Sequence, residues 1–434
     1  MTADATTLDA WLERIERLHN RPIDLTLERV REVARRLGVT SSCPTFIIGG
    51  TNGKGSTCAM LDAILRAGGY KVGLYTSPHL LTFNERARID GVLATDSALI
   101  EQFEAVESAR GATTLTYFEF TTLAILRLFQ RTRLDALVLE IGLGGRLDAV
   151  NIVDPDCSIL TSVDIDHTAY LGPTRESIGF EKAHIFRRGR PGICAEPRPP
   201  KTVLDVAQEL GTDLWLAGRE FRHSGDRQQW AYHGRNVRRA SLPYPALRGA
   251  NQLLNASGAL AALEAVSERL PISQQAVRQG LLTVEIPARF QVLAGRPAVV
   301  LDVAHNPHAA AVLAANLDSM GFYPRTHAVF GMLRDKDVAG VIARIGTRVD
   351  RWHVGPTPGA RGADSQWLAS QVRAVLAEAK DPDVIEHATL ADAYAAALGE
   401  VDVDDRIIVF GSFTTVAEVM RARASSPADR DSKL

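Results

Sequence analysis

The stretch Ile47-Ile48-Gly49-Gly50-Thr51-Asn52-Gly53-Lys54-Gly55-Ser56-Thr57 joins an apolar, strand-like run to a helical pattern through a glycine-rich turn. Strand, loop and helix in that order gather backbone N–H groups and the positive end of a helix around one point, which is a site for phosphate. Thr51, Asn52, Gly53, Lys54, Gly55, Ser56 and Thr57 therefore form a candidate ATP-binding loop. Lys54 reaches the outer phosphates, and the Ser56 or Thr57 hydroxyl holds Mg²⁺. The spacing departs from G-x-x-x-x-G-K-[ST]: no glycine lies five residues before Gly53, and Gly55 separates Lys54 from the first hydroxyl. A glycine turn without a ligand is the alternative.

A chain of 434 residues exceeds one ordinary core, so two domains are expected. The net charge of −2 gives no electrostatic reason to expect nucleic acid or an anionic membrane. No run of about 18 apolar residues is present to span a bilayer. Met1 to Arg14 lacks the basic start and apolar stretch of a secretory signal. Cys43, Cys58, Cys157 and Cys194 are scattered without a C-x-x-C, as reduced cytoplasmic thiols are.

Strand-like runs alternate with helical patterns along most of the chain. After a helical lead-in (Leu8 to Leu37), strands are expected at Thr45–Ile48, Lys71–Tyr75, Ala136–Leu139, Ser158–Thr161 and Gly192–Ala195. Helices are expected from about Lys54 to Gly68-Gly69, over Glu119–Gln130 and over Asn251–Leu270. Between Asp213 and Arg239 the alternation changes to that of a small antiparallel patch. Past Ile286-Pro287-Ala288-Arg289 the rhythm restarts, with strands at Ala298–Val303, Thr326–Phe330, Arg351–Val354 and Arg406–Phe410. This order implies βαβ units and a mainly parallel sheet. The expected fold class is α/β: a P-loop-type, mainly parallel sheet ATPase domain (1–286), then a smaller Rossmann-like α/β domain (287–424) and a flexible tail (425–434).

Other chemistry-bearing residues follow strands, where ligands collect in open parallel sheets. Ser77, in Thr76-Ser77-Pro78-His79-Leu80, offers a hydroxyl to a metal, or simply starts a Ser-Pro turn. Glu140 ends an apolar strand, an expensive place for a carboxylate unless a partner such as phosphate-bound Mg²⁺ is present. Beyond it come Gly142, Gly144, Gly145, Arg146, Leu147, Asp148 and Ala149, of which Arg146 and Asp148 can pair with each other. His167, in Asp164-Ile165-Asp166-His167-Thr168, is open between ligand and structural hydrogen-bonder, and Lys182 reads as a solvated helical lysine. Asp302 can accept ribose hydroxyls, and Pro307 opens a helix at its first position. Gly331 and Gly411-Ser412-Phe413 end two later strands. Functional-looking strand ends in two α/β domains suggest a substrate cleft between them.

Gly50–Thr57, Ser77–Leu80, Leu139–Asn151, Asp166–Thr168, Glu181–Phe186, Asp302–His308, Gly331–Asp337 and Gly411–Val416 together resemble the folylpolyglutamate synthase family. The likeness is to its bifunctional bacterial dihydrofolate synthase/folylpolyglutamate synthase members, within the Mur ligase superfamily, and runs from about Thr7 to Arg421. It implies an ATP-dependent amide ligase that adds L-glutamate to dihydropteroate and to reduced folates through an acyl phosphate. It further implies metal ligands at Ser56, Ser77, Glu140 and His167, and a carbamate on Lys182. ATP contacts would fall at Gln252, Asn255, Arg289 and Asp302, with His305 beside the transfer site. The dihydropteroate pocket would be lined by Thr116, Tyr117, Phe118, Glu119, Leu147, Asp148 and Ala149, with core packing the alternative for the two aromatics. His184 stands where the family commonly has glycine, and Ala169 where it is often polar.

Four other readings fit less well, one of them a non-catalytic nucleotide-binding module, which would leave Ser77, Glu140 and His167 converging by chance. A polyglutamylase without dihydropteroate activity would leave the 116–119 and 147–149 segments unexplained. A cell-wall ligase would call for a uridine-nucleotide domain within residues 1–44, and a phosphate-loop kinase or switch gives no reason for the second domain. The expected protein is a cytoplasmic monomer handling small molecules, with no nucleic acid or membrane partner.

Overall fold

The computed structural model describes residues 6–226, 228–249, 251–377 and 382–425. Two units are present: Met1–Ala246 with Leu253–Val284, and Leu247–Gln252 with Glu285–Leu434.

The first unit opens with α1 (Leu8–Glu16) and α2 (Glu28–Leu37), so the helical lead-in is two helices with a break between them. Then come β1 (Thr45–Gly49), α3 (Lys54–Ala67), β2 (Val72–Tyr75), β3 (Ala87–Ile89), β4 (Val92–Leu93), α4 (Asp96–Arg110) and α5 (Tyr117–Arg131). Next are β5 (Ala136–Glu140), β6 (Cys157–Leu160), α6 (Thr168–Leu171), α7 (Arg175–Ala183), β7 (Pro191–Cys194), α8 (Lys201–Leu210) and β8 (Asp213–Leu216). A small meander of β9 (Arg222–Gly225), β10 (Trp230–His233) and β11 (Arg238–Leu242) precedes α9 (Asn251–Ala265) and α10 (Gln274–Thr283).

The eight-stranded sheet runs β4-β3-β2-β5-β1-β6-β7-β8, parallel except at β3 and β4. Every residue of β1 and β5 is buried, as a central strand covered on both faces requires. The antiparallel patch is real but starts later than its sequence suggests. Asp213–Leu216 pairs in parallel with β7, and only β9–β11 form the antiparallel sheet. Trp11, Phe83, Phe103 and Phe120 pack edge to face in the core beside the sheet. Truncating one such buried ring to alanine costs about 3–5 kcal/mol.

The second unit contains β12 (Gln291–Leu293), β13 (Ala298–Leu301), α11 (Pro307–Ser319), β14 (Thr326–Phe330), α12 (Val338–Ile345), β15 (Arg351–Val354) and α13 (Ser365–Leu376). It ends with β16 (Asp383–Glu386), α14 (Leu390–Glu400), β17 (Arg406–Phe410) and α15 (Phe413–Ser425). Its sheet order is β12-β13-β17-β14-β15-β16, parallel except for β12. Pro307 does open α11, behind an Asn306 cap that accepts from Ala309 N at 2.9 Å. Of the polar tail expected at 425–434, Ser425 is instead the last residue of α15, and residues 426–434, like Ala250, lie outside the described residues.

Candidate active site

In the first unit β2, β5, β1 and β6 are neighbours in that order, so everything just past their C-terminal ends lies along one sheet edge. That edge carries Ser77, Glu140, the glycine loop and Asp166-His167.

The loop is held from the β6 side. Thr161 Oγ1 donates to Gly49 O at 3.1 Å and to Asn52 O at 2.7 Å, and Ser162 Oγ accepts from Asn52 N at 2.9 Å. Thr51 Oγ1 accepts from Asp164 N and donates to Asp164 O. Thr161 and Ser162, directly past β6, were not among the sequence candidates; two hydroxyls after an apolar strand were the available signal. Gly53 caps α3 at φ 85, and a Cβ there would lie 2.6 Å from Asn255 Oδ1, so Asn255 abuts the loop. Gly55, Ser56 and Thr57 are buried in the first turn of α3, with Thr57 Oγ1 lacking a hydrogen-bond partner among the described residues. Lys54 folds back over its own loop, donating to Gly50 O and Thr51 O at 3.0 and 3.2 Å.

Glu140 is buried at the end of β5 and accepts from Ser77 N at 3.2 Å. The Ser77 loop is itself anchored by Glu85, whose carboxylate accepts from Leu80, Leu81 and Thr82 N–H groups at 2.7–2.9 Å. His167 is the residue before α6, at φ 51, with its Nε2 3.9 Å from Asp166 Oδ2. Hydroxyl and carboxylate oxygens from Ser56, Ser77 and Glu140 are hard donors of the kind Mg²⁺ and Mn²⁺ prefer, so the donor set fits a divalent cation.

Two local expectations are overturned. Lys182 is not solvated: it is buried, with Nζ donating to Gly50 O at 3.0 Å. Burial first, and then Lys54, push its pKa down to about 7, against the pull of Asp166 and Asp148. The alternative in which Arg146 pairs with Asp148 also fails, because Arg146 engages the Glu181 carboxylate at 2.9–3.2 Å. Asp148 instead accepts from Leu143 N at 2.8 Å and Val150 N at 2.9 Å. Burial raises its pKa to about 6 despite those bonds. His184 ends α7 at φ −71, a conformation open to any residue, so its replacement of glycine leaves the turn beside Lys182 undisturbed. Ala169 is exposed on α6.

At the pocket segments, Thr116 caps α5 in a reciprocal box with Glu119, at 3.2 and 2.8 Å. Glu119 also receives Arg29 at 3.1 Å. These two polar side chains are thus committed to the helix start, while Tyr117 and Phe118 stay half-buried. Phe118 stacks on Tyr75 and lies so close to Gly142 that a Cβ there would meet its ring at 2.5 Å. The α5 segment and the loop bearing Leu147, Asp148 and Ala149 therefore share one wall.

In the second unit Asp302, Gly331 and Gly411 follow β13, β14 and β17, three strands adjacent in the sheet. Asp302 is half-buried and accepts from Phe290 N and Ala304 N, each at 2.8 Å. Burial raises its pKa, with Arg289 pulling the other way. The Arg289 guanidinium lies 5.1 Å from the centre of the Phe413 ring. His305 has Nδ1 2.9 Å from Val303 O. Gln252 is half-buried in the first turn of α9, three residues before Asn255.

Residues 48–263 match the Mur ligase middle domain, and residues 288–413 match the Mur ligase glutamate ligase domain. A dihydrofolate synthase/folylpolyglutamate synthase of Escherichia coli K12 is 46% identical over 417 residues, 96% of this chain and 95% of that protein. The structure of E. coli FolC in complex with DHPP and ADP is similar with TM-score 0.92 and 44% identity, covering 97% of this chain and 98% of that one. A bifunctional folylpolyglutamate synthase/dihydrofolate synthase with Mn, AMPPNP and L-glutamate bound has TM-score 0.89 and 43% identity, covering 97% and 99%.

Proposed function

The chain belongs to the Mur ligase family, in its dihydrofolate synthase/folylpolyglutamate synthase branch, and from that membership we propose how its residues carry the chemistry. It is an ATP-dependent ligase that joins L-glutamate to dihydropteroate and to reduced folates. ATP phosphorylates the substrate carboxylate, and the glutamate amine attacks the acyl phosphate, forming the amide and expelling phosphate. The relatives solved with ADP, AMPPNP, Mn and L-glutamate support ATP and a divalent cation as the requirements.

One observation carries the assignment to residues: buried Glu140, at the end of the strand beside the glycine loop, accepts from Ser77 N, and buried Lys182 donates to Gly50 O of that loop. In our reading the loop N–H groups and Lys54 hold the phosphates, as preorganised donors aimed at developing charge. Ser56, Ser77, Glu140 and His167 hold the cation, Mg²⁺ in the cell, which when bound screens phosphate charge during transfer. Asn255, Gln252, Arg289 and Asp302 bind the nucleotide, and His305 lies toward the transfer site. Tyr117 and Phe118, with Leu147 to Ala149, offer the flat apolar wall a pterin needs. A lysine held near pKa 7 is largely an unprotonated amine at slightly alkaline pH, the form that reacts with CO₂, which supports a carbamate on Lys182. The reading places the ATP-binding domain at 1–286 and the glutamate ligase domain at 287–424, supported by the change of unit after Val284. It takes the protein as a cytoplasmic monomer, and four free cysteines agree with a reducing compartment. Among the described residues no helix is long and apolar enough to cross a membrane.

The test is L-glutamate-dependent ADP release from MgATP, with 7,8-dihydropteroate and tetrahydrofolate compared as acceptors. Turnover with both is expected. Turnover with tetrahydrofolate alone would make the protein a polyglutamylase, and turnover with neither would overturn the assignment.

A further inference from the structure

Three imidazoles line up across neighbouring strands of the second unit. His327 is on β14, His353 on β15, and His387 directly follows β16. Val329 pairs with His353, and His353 with Ile385. Each histidine is thus offset by two residues from the next, which puts all three on one face of the sheet. His327 Nδ1 is 3.3 Å from His353 Nε2, and His353 Nδ1 is 3.2 Å from His387 Nε2. Glu400, the last residue of α14, brings a carboxylate oxygen to 3.7 Å from His353 Nε2.

We propose that His327, His353 and Glu400 form a binding site for a transition-metal dication of the Zn²⁺ class, built from residues other than those assigned to nucleotide and folate. The three ligand atoms lie within 4.8 Å of one another. With the 3.3 and 3.7 Å sides fixed, a point about 2.0–2.4 Å from all three exists, close to the bond lengths of Zn²⁺ to imidazole and carboxylate. Two imidazoles and one carboxylate select such a cation over Mg²⁺, which prefers oxygen. When His353 Nδ1 donates to His387, its Nε2 lone pair is turned toward the cation, an orienting contact typical of metal-bound histidine.

Charge and burial agree with this. His327 and His353 are both buried, which keeps competing water away from their ring nitrogens. Arg351 holds Glu400 but also Asp383 at 2.6 Å, so sharing Glu400 with a cation leaves the guanidinium paired. His327 Nε2 is without a hydrogen-bond partner among the described residues, a cost present with or without the cation. The alternative is a metal-free ladder of hydrogen-bonded rings filling the core.

The full chain, stripped with chelator, is loaded with Zn²⁺ in excess Mg²⁺, desalted, and its zinc counted by atomic emission. Co²⁺ titration followed by visible absorption reports ligand geometry independently. One retained zinc and a tetrahedral-type cobalt spectrum are expected, with binding at least tenfold weaker in Glu400→Gln and His353→Gln. Glu400 is exposed at a helix end, so its variant tests the site without disturbing the core. No retained zinc in the wild type, or unchanged retention in Glu400→Gln, overturns the proposal.

Discussion

Lys54 Nζ and Lys182 Nζ donate to the same acceptor, the carbonyl oxygen of Gly50, each at 3.0 Å. Burial lowers the Lys182 pKa to about 7, and repulsion from the Lys54 ammonium on the same carbonyl adds to it. The unfolded chain keeps that proton up to about pH 10.4. Between pH 7 and 10 the unfolded state therefore binds more protons, and stability rises with pH through that window. The penalty of burying the charge is fully present below pH 7. In CO₂-free buffer, wild type should gain on Lys182→Met by up to about 3 kcal/mol between pH 7 and 9, at 1.36 kcal/mol per unit. Urea unfolding of both proteins at pH 6, 7, 8 and 9 reads this directly, and parallel pH profiles would contradict it.

Lys54→Ala should abolish ligation. Substrate binding elsewhere does not replace a cation aimed at the phosphates during transfer. The fold should survive, because Lys54 is only part-buried and bonds to its own loop. ADP release near the wild-type rate, with an unchanged melting temperature, would remove Lys54 from the phosphate site.

Glu140→Gln separates charge from hydrogen bonding. The amide oxygen can still accept from Ser77 N, so the loop stays in place, while the anionic oxygen offered to the cation is gone. The metal concentration for half-maximal activity should rise at least ~10-fold, the lower end of what outer-shell partners alone contribute. A Mg²⁺ titration of steady-state activity measures it, and an unchanged midpoint would argue against Glu140 as a ligand.

Gly142→Ala pushes a methyl group into the Phe118 ring, 2.5 Å from the Cβ position. Phe118 must move off Tyr75, which disturbs the wall we assign to the pterin. The expected result is a raised KM for dihydropteroate with the KM for ATP little changed. Equal rises in both would place Phe118 in general core packing.

Much of this was legible because the features repeat a simple physical pattern. A short buried strand, a polar or glycine turn and a helix recur, so Thr326–Phe330, Arg351–Val354 and Arg406–Phe410 were found at their observed bounds. Glu140 stood out as a carboxylate too costly to bury without a partner, and the glycine loop as a turn that gathers N–H groups for phosphate. What stayed hidden depends on tertiary placement. Nothing local says that Lys182 is buried: its helix carries Glu181 and Arg175 like any solvated helix, and Gly50 is 132 residues away. The pairing of Arg146 with Glu181, 35 residues on, over its near neighbour Asp148 is likewise decided by where α7 lands. The short edge strands β3 and β4 gave too few residues for any periodicity to register.

Asp302 shows the same limit, since its backbone partners determine its importance. Arg289 lies between two non-glycine residues at positive φ, Ala288 at 59° and Phe290 at 48°. Such conformations cost of order 1–3 kcal/mol each and persist only where the surroundings enforce them. One enforcing contact is Asp302, whose Oδ2 accepts from Phe290 N while Oδ1 accepts from Ala304 N. In Asp302→Ala both buried donors lose their acceptor, at about 1–3 kcal/mol each, and the segment carrying Arg289 is free to relax. The variant should unfold at lower urea and show a raised KM for ATP, because the guanidinium is no longer presented over Phe413 in its present position. Asp302→Asn keeps one acceptor oxygen and should recover only part of both losses. A variant that is destabilised but binds ATP normally would confine Asp302 to the fold, and would separate the geometry of residues 288–290 from nucleotide recognition.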